Sequence, residues 1–313
     1  MTRTLDLRSR LSVPVIAAPM FIVSHPELVI AQCRAGVVGS FPSLNARPSG
    51  LFEAWLQQLD SGLTTDDAPY AVNLIVHRSN ERLDEDLALC VKYKVPIVIT
   101  SLGAREDVNE AIHSYGGFVF HDIIHDAFAR KAVAKGADGL VAVSAGAGGH
   151  AGTLSPIALC QEIRAWFDGP LALSGSIATG EAVAAARALG ADFGYIGSAF
   201  IATEEANASA AYKQMILDSC ASDIVYTDAF SGIRGNYLAP SIRAAGLDPD
   251  ALAPGSTSAL NTAHDEGGVK AWRDIWGCGH GIGVLDKVVP VAEFVARLQS
   301  EYRATIHRMA TDL

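Results

Sequence analysis

Short apolar runs, each bounded by Gly, Pro or polar residues, recur through the first two thirds of the chain. They are Val13–Met20, Val37–Phe41, Tyr70–Val76, Pro96–Thr100, Phe118–Asp122, Gly139–Ser144, Leu171–Ser174 and Phe193–Gly197. They are too short and too uniformly apolar for amphipathic helices, and they predict strands buried on both faces. Helical patterns fall between them, at Glu81–Tyr93, Ala127–Ala134, Pro156–Phe167 and Glu181–Leu189. Ser155 before Pro156 predicts a helix opening, with serine as N-cap and proline in the first turn. Lys135-Gly-Ala-Asp138 and Leu189-Gly-Ala-Asp192 predict helices that end on a glycine and turn into the next strand. Eight strand–helix units in about 220 residues predict an α/β fold of the (β/α)8 TIM-barrel type. A doubly wound open sheet is the competitor, but Ala17-Ala-Pro-Met20 after the first strand is unlike a GxGxxG fingerprint.

After the eighth unit the pattern breaks. The stretch to about Val284 is rich in Gly, Pro, Ser, Asn and aromatic residues with little periodicity, and long irregular segments of this kind are usually functional. The expected organisation is a barrel over 1–221, an irregular or helical lid over 222–285, and a closing helix within 286–313.

Composition narrows the function classes. Half the residues are hydrophobic and 19% are charged, with a net charge of −10. No basic run is present, which argues against a nucleic-acid partner. The five cysteines (Cys33, Cys90, Cys160, Cys220, Cys278) are scattered, odd in number and never in a CxxC, as expected of reduced thiols in a cytoplasmic protein. No apolar stretch is long enough to span a bilayer. His121 and His125, four apart, begin in a strand, where that spacing is too wide to share one ion, and no metal is expected.

The chemistry concentrates at Ser144-Ala-Gly-Ala-Gly-Gly-His-Ala-Gly152. The strand Gly139–Val143 leads into it, so His150 is presented on a loop at a carboxyl strand end, where parallel α/β folds place their reactive groups. Its ordinary pKa range suits proton transfer near neutral pH, and Gly148 and Gly149 let backbone approach a flat or phosphorylated ligand. Two later loops, around Ser174-Gly-Ser176 and Gly197-Ser198, follow the seventh and eighth strands. In barrels these positions commonly cradle a phosphate with backbone N–H groups. A mononucleotide such as FMN held there reaches Ala18, Pro19 and Met20 after the first strand, Asn73 at the end of the third and Thr100 at the end of the fourth.

The segments Ala17-Ala-Pro-Met20, Ala71-Val-Asn-Leu74, Ala147-Gly-Gly-His-Ala-Gly152, Leu173-Ser-Gly-Ser176 and Tyr195-Ile-Gly-Ser-Ala-Phe200 together resemble the nitronate monooxygenase family, formerly called 2-nitropropane dioxygenases. The resemblance runs from about residue 10 to about residue 280. It implies an FMN-containing TIM barrel that oxidises alkyl nitronates with O2 to a carbonyl compound and nitrite, with propionate 3-nitronate or nitroalkanes as candidate substrates. It further implies that Ala18, Pro19 and Met20 flank the flavin ring, that Asn73 bonds its polar edge, and that Gly148 and Gly149 pass close to it. Gly175, Ser176, Gly197 and Ser198 then hold the phosphate, and His150 is the active-site base or anion-orienting residue. Two departures bear on the substrate. Where relatives carry a Lys near the end of the fifth strand, this chain has His121 and Asp122. Where a Gln is common in the glycine-rich loop near 280, it has His280.

The rival on the same scaffold is an FMN-dependent NAD(P)H reductase of the enoyl-acyl-carrier-protein or quinone type. An acyl carrier is acidic and a net charge of −10 offers it no docking surface, which favours a small-molecule substrate. A third reading is a flavin-free phosphate-binding barrel, although no strand end carries the Lys or paired carboxylates usual in such enzymes. The oligomeric state stays open, with a homodimer among the options.

Overall fold

The computed structural model describes residue 7 and residues 10–48, 50–253 and 272–311. Its strands in chain order are β1 (Val15–Ala17), β2 (Gly39–Pro42), β3 (Tyr70–Ile75), β4 (Ile97–Ser101), β5 (Phe118–Ile123), β6 (Gly139–Val143), β7 (Gly149–His150), β8 (Leu171–Ser174), β9 (Phe193–Ile196), β10 (Ile224–Thr227) and β11 (Gly235–Leu238). Eight of them form one parallel sheet in the order β1-β9-β8-β6-β5-β4-β3-β2. A bridge between Ile16 and Val38 joins the two ends, with the Ala17 N–H donating to Val38 O at 2.8 Å and the Val38 N–H to Val15 O at 3.2 Å. The sheet is therefore a closed barrel, with helices between consecutive strands. Each of the eight apolar runs overlaps one of these barrel strands, and three strands (β2, β4 and β5) extend one residue past their run.

The helices Leu83–Lys92, Asp126–Ala134, Pro156–Arg164 and Gly180–Ala188 fall where the patterns place them. Gly136 and Gly190 adopt φ of +91° and +99° just past two of these helices, the left-handed turn that glycine makes without a Cβ penalty. The opening at Ser155 differs from expectation. Pro156 does start the helix, but the Ser155 side chain makes no capping hydrogen bond. Proline's fixed φ and missing N–H already suit the first turn, so the helix starts there without the serine.

Side chains alternate along each strand, and that parity sorts the barrel residues into two sets. Ile16, Val38, Ala71, Ile97, Ile99, Phe118, Phe120, Val141, Ala172, Phe193 and Tyr195 pack together as the barrel interior. Val98 and Val119 belong to the outer layer between strands and helices, as does Ile123.

The segment after the barrel differs most from its sequence reading. It carries a three-stranded antiparallel sheet in the order β10-β11-β7, in which the histidine loop itself supplies β7. Gly235 pairs with His150 and Asn236 with Gly149. A Cβ at Gly235 would lie 2.7 Å from Gly149 O, so only glycine lets the two backbones meet. The helix Val291–Thr311 then returns to pack on Pro26–Arg34 and Gly180–Ala188. No helix among the described residues is long and apolar enough to cross a membrane. The lid stretch 254–271, with its His264 and Glu266, lies outside the described residues.

Candidate active site

The carboxyl ends of β6, β8 and β9 meet over one cavity. Its wall is Gly146, Ala147 and Gly148 from the histidine loop, Ser174 to Ala178 after β8, and Tyr195, Gly197, Ser198 and Ala199 around the end of β9. Gly279 and Gly281 close the fourth side. The loops are seamed together by backbone contacts. The Ser176 N–H reaches Gly146 O at 3.3 Å and the His280 N–H reaches the same oxygen at 3.0 Å. The Gly279 N–H donates to Ser198 Oγ at 2.8 Å. A lid residue ties the assembly further: Asn236 donates to Ala147 O at 2.6 Å, and its own carbonyl accepts from the Cys278 N–H at 3.1 Å.

At Gly175 the wall has no room even for a Cβ. Gly175 sits at φ +130°, and a Cβ there would lie 2.4 Å from Ser144 Oγ and 2.7 Å from Ala145 O. Gly175→Ala is expected to cost roughly 2–4 kcal/mol in denaturant unfolding, from forbidden backbone and overpacking together. A loss below about 0.5 kcal/mol would show that the loop relaxes freely. The chemistry of the wall is neutral: peptide N–H groups, hydroxyls, and the first turn of Ser198–Ile201, whose leading N–H groups have no partner within the helix. That donor set suits an anion such as a phosphate. One buried hydroxyl, Tyr195 Oη, has no partner among the described residues. It comes from the inward face of β9, so the cavity floor holds an unspent polar group.

Ala18, Pro19 and Met20 stand half-buried at the barrel mouth. A Cβ on Gly197 would lie 3.3 Å from Ala18 Cβ and 3.7 Å from Met20 Sδ, so the first-strand loop adjoins the cavity. Asn73 is buried and spends both amide protons inside the wall, on Ile99 O at 2.9 Å and Ser101 Oγ at 2.7 Å. Only its carbonyl oxygen is left for a ligand. Ser101 in turn donates to Asp122 Oδ2 at 2.5 Å. The other Asp122 oxygen is enclosed and unpartnered among the described residues, and burial pushes its pKa up to about 6.

Thr100 and His121 are not brought to this group. Parity turns them to the outer layer, where Thr100 Oγ1 and His121 Nδ1 lie 2.6 Å apart. Burial lowers the His121 pKa to about 4, helped by the positive charge of Lys131, which stands on the outer helix Asp126–Ala134. The polar groups on the inner face are their chain neighbours Ser101 and Asp122. His280 sits on the rim beside Gly146, with its ring Nδ1 3.4 Å from where a Gly146 Cβ would be. Cys278 is fully buried, and burial pushes its thiol up to about 12, so it is a packed thiol and not a nucleophile.

His150 stands on β7, half-buried. Its Nε2 is 2.9 Å from Ser231 Oγ, and Trp272 meets its ring edge-on at 5.5 Å. Burial alone draws its pKa down to about 4, so the ring is neutral at physiological pH and available as a base. The sequence gives no signal for Ser231 or Asn236, and it offers Tyr195 only as the first residue of a segment that carries the resemblance, with no role of its own. The alternating glycines Gly277, Gly279, Gly281 and Gly283 were the available signal for the fourth wall.

A closed parallel barrel with a glycine-rich cavity at its carboxyl face and a histidine on the adjoining loop place the chain among (β/α)8 barrels with a candidate site at the strand ends. The comparisons narrow it. Residues 77–301 match the family model described as nitronate monooxygenase, and the chain belongs to that family of oxidoreductases. A nitronate monooxygenase of Paraburkholderia phytofirmans is 26% identical, with 95% of this chain and 94% of that protein covered. Among solved structures, a nitroalkane oxidase from Streptomyces ansochromogenes superposes with a TM-score of 0.81 at 22% identity, covering 97% of this chain and 99% of the other. FabK from Thermotoga maritima gives 0.80 at 23% identity, covering 100% and 99%. At such identities the superpositions establish the shared barrel fold. Proteins of this family and of these neighbours' kind are flavoproteins in general.

Proposed function

We propose that this chain is an FMN-dependent enzyme that oxidises alkyl nitronates, and nitroalkanes after their deprotonation, using O2 and yielding a carbonyl compound and nitrite. The observation that carries this reading is the pairing of an uncharged N–H and hydroxyl cradle with a neutral histidine base on the adjoining loop. The cradle fits the phosphate of FMN: its glycines leave room that a Cβ would fill, and Ser174, Gly175, Ser176, Gly197 and Ser198 supply the donors. Ala18, Pro19 and Met20 would line the ring, with Gly148 and Gly149 passing beside it, and Asn73 Oδ1 would accept from a ring N–H. Bound flavin supplies a two-electron acceptor that reacts with O2. The residues of the chain do the rest. His150 removes the α-proton of a nitroalkane, and the imidazolium so formed lies beside the anion it has made. We take 1–221 as the barrel body, 222–285 as the lid that shields this step, and 286–313 as the closing helix, with a small molecule as substrate.

The test is anaerobic. The FMN-loaded protein is mixed with propionate 3-nitronate, and separately with NADH, while absorbance near 450 nm is followed. Rapid loss with the nitronate alone is expected. Bleaching only by NADH would overturn the reading in favour of a reductase, and failure to take up FMN would leave a flavin-free phosphate barrel.

A further inference from the structure

Ser231 lies 81 residues beyond His150, in the lid, and makes three contacts through one oxygen. His150 Nε2 is 2.9 Å away, the Ile233 carbonyl 3.0 Å, and the Tyr237 hydroxyl 3.2 Å. Ser231 is 7% exposed and Tyr237 fully buried, so the partners are those the protein provides. A serine hydroxyl has one proton to give and two lone pairs to accept with. Of the three neighbours only the carbonyl has nothing to donate, so the Ser231 proton goes to Ile233. Both lone pairs then face groups that must donate. The Tyr237 O–H fills one, and the other is filled only if His150 carries a proton on Nε2. The tautomer, set by this donor count, leaves the lone pair on Nδ1, and among the described residues none bonds that atom.

The surroundings hold the arrangement. Trp272 packs against the His150 ring at 5.5 Å and against Tyr237 at 5.2 Å, and Phe230 closes the far side of Tyr237 at 5.1 Å. Backbone pairing of β7 with β11 sets the distance across which Ser231 must reach.

We propose that Ser231, backed by Tyr237, is a positioning residue that fixes His150 as its Nε2–H tautomer and so makes Nδ1 the atom that receives the substrate proton. What Nδ1 does rests on the nitroalkane reading given above; the tautomer does not. In the step, the Nδ1 lone pair forms an N–H bond as the substrate α C–H bond breaks. The C–H electron pair passes into the C=N bond of the nitronate, and negative charge settles on the nitro oxygens. No oxidant or reductant is consumed. Ser231 accepts from Nε2–H in the neutral ring and in the imidazolium alike, so proton uptake at Nδ1 requires no rearrangement of the lid.

The experiment uses the full chain with 15N-labelled histidine. Long-range proton–nitrogen correlation distinguishes a protonated ring nitrogen from one with a free lone pair, and the His150 signals are those lost in His150→Asn. The native protein and Ser231→Thr should show protonated Nε2 and unprotonated Nδ1, and Ser231→Ala should show a mixture of tautomers. Tyr237→Phe should keep the native tautomer, because Ile233 still holds the Ser231 proton. In turnover of a neutral nitroalkane, Ser231→Ala should lower kcat by roughly 10- to 100-fold through lost orientation, with KM within a few-fold and recovery in Ser231→Thr. A proton on Nδ1 in the native protein, or one unchanged tautomer in Ser231→Ala, would overturn the proposal. Should Ser231→Ala not fold, the native spectrum still decides. Absence of nitroalkane turnover by the native enzyme would instead remove the functional reading, and the spectra would judge Ser231 independently.

Discussion

Replacing His150 with asparagine is expected to slow oxidation of a neutral nitroalkane by about 10²- to 10⁴-fold, the usual contribution of a positioned general base. A preformed nitronate already lacks the α-proton, so its oxidation should fall by less than about tenfold on the same argument. Asparagine keeps a polar group opposite Ser231, which separates loss of the base from collapse of the loop. Burial holds His150 at a pKa of about 4, and the base is active only when neutral. The native rate on nitroalkane should therefore stay level as pH falls through 6.5 and drop only as it nears 4. Steady-state kinetics on both substrates from about pH 3.5 to 8 tests this. Equal loss on the two substrates would sink the base assignment and leave anion stabilisation. A midpoint near 6.5 would show that the ring is far more solvated than its packing against Trp272 implies.

The second large effect is on stability in acid. His121 and His150 each have a folded pKa of about 4 against an ordinary value of 6.5. A depressed folded pKa means the unfolded chain binds protons first, so the contribution is fully present above 6.5 and is lost as pH falls towards 4. Asp122 works the other way. Its folded pKa is raised from 3.8 to about 6, so its contribution is present below 3.8 and is lost as pH rises through 6. Between pH 6.5 and 4 two histidines oppose one carboxyl. The net loss from these groups is roughly 2–4 kcal/mol at about 1.4 kcal/mol per tenfold shift. Urea unfolding at pH 7 and pH 4.5 should show that drop, Asp122→Asn should steepen it, and His121→Asn should shrink it. Equal stability of the native protein at both pH values would contradict the burial of these rings.

How much of this was legible beforehand depends on where each signal resides. The barrel strands are legible because each is buried on both faces, and a run such as Pro96-Ile-Val-Ile-Thr100 is apolar up to its last residue. The same property hid their orientation. Where Val98 and Ile99 are equally apolar, nothing local says which faces inward, and a one-residue change of register exchanges the faces. The sequence therefore offers Thr100 and His121 as site residues, although Ser101 and Asp122 are the ones that face in. The spaced aromatics Phe118 and Phe120 carry a faint hint, since one further step of two reaches Asp122. The glycine loops were legible because their chemistry is local. Ser231 was not: its role exists only when β7 and β11 pair, and a lone serine in a polar stretch has no pattern of its own.

The closure of the barrel has a consequence for how it comes apart. Neighbouring strands elsewhere share runs of three to five paired residues, but β1 meets β2 through a single bridge. There a side chain substitutes for missing ladder, with Ser40 Oγ donating to Ala17 O at 2.5 Å. The cylinder is thus a ribbon whose ends are fastened by a clasp, and amide exchange should enter at Ala17 and Val38 before it reaches β3 to β5. The loop of Ala18, Pro19 and Met20 hangs from that clasp, so the part of the barrel mouth proposed to line the flavin ring is also the part that yields first.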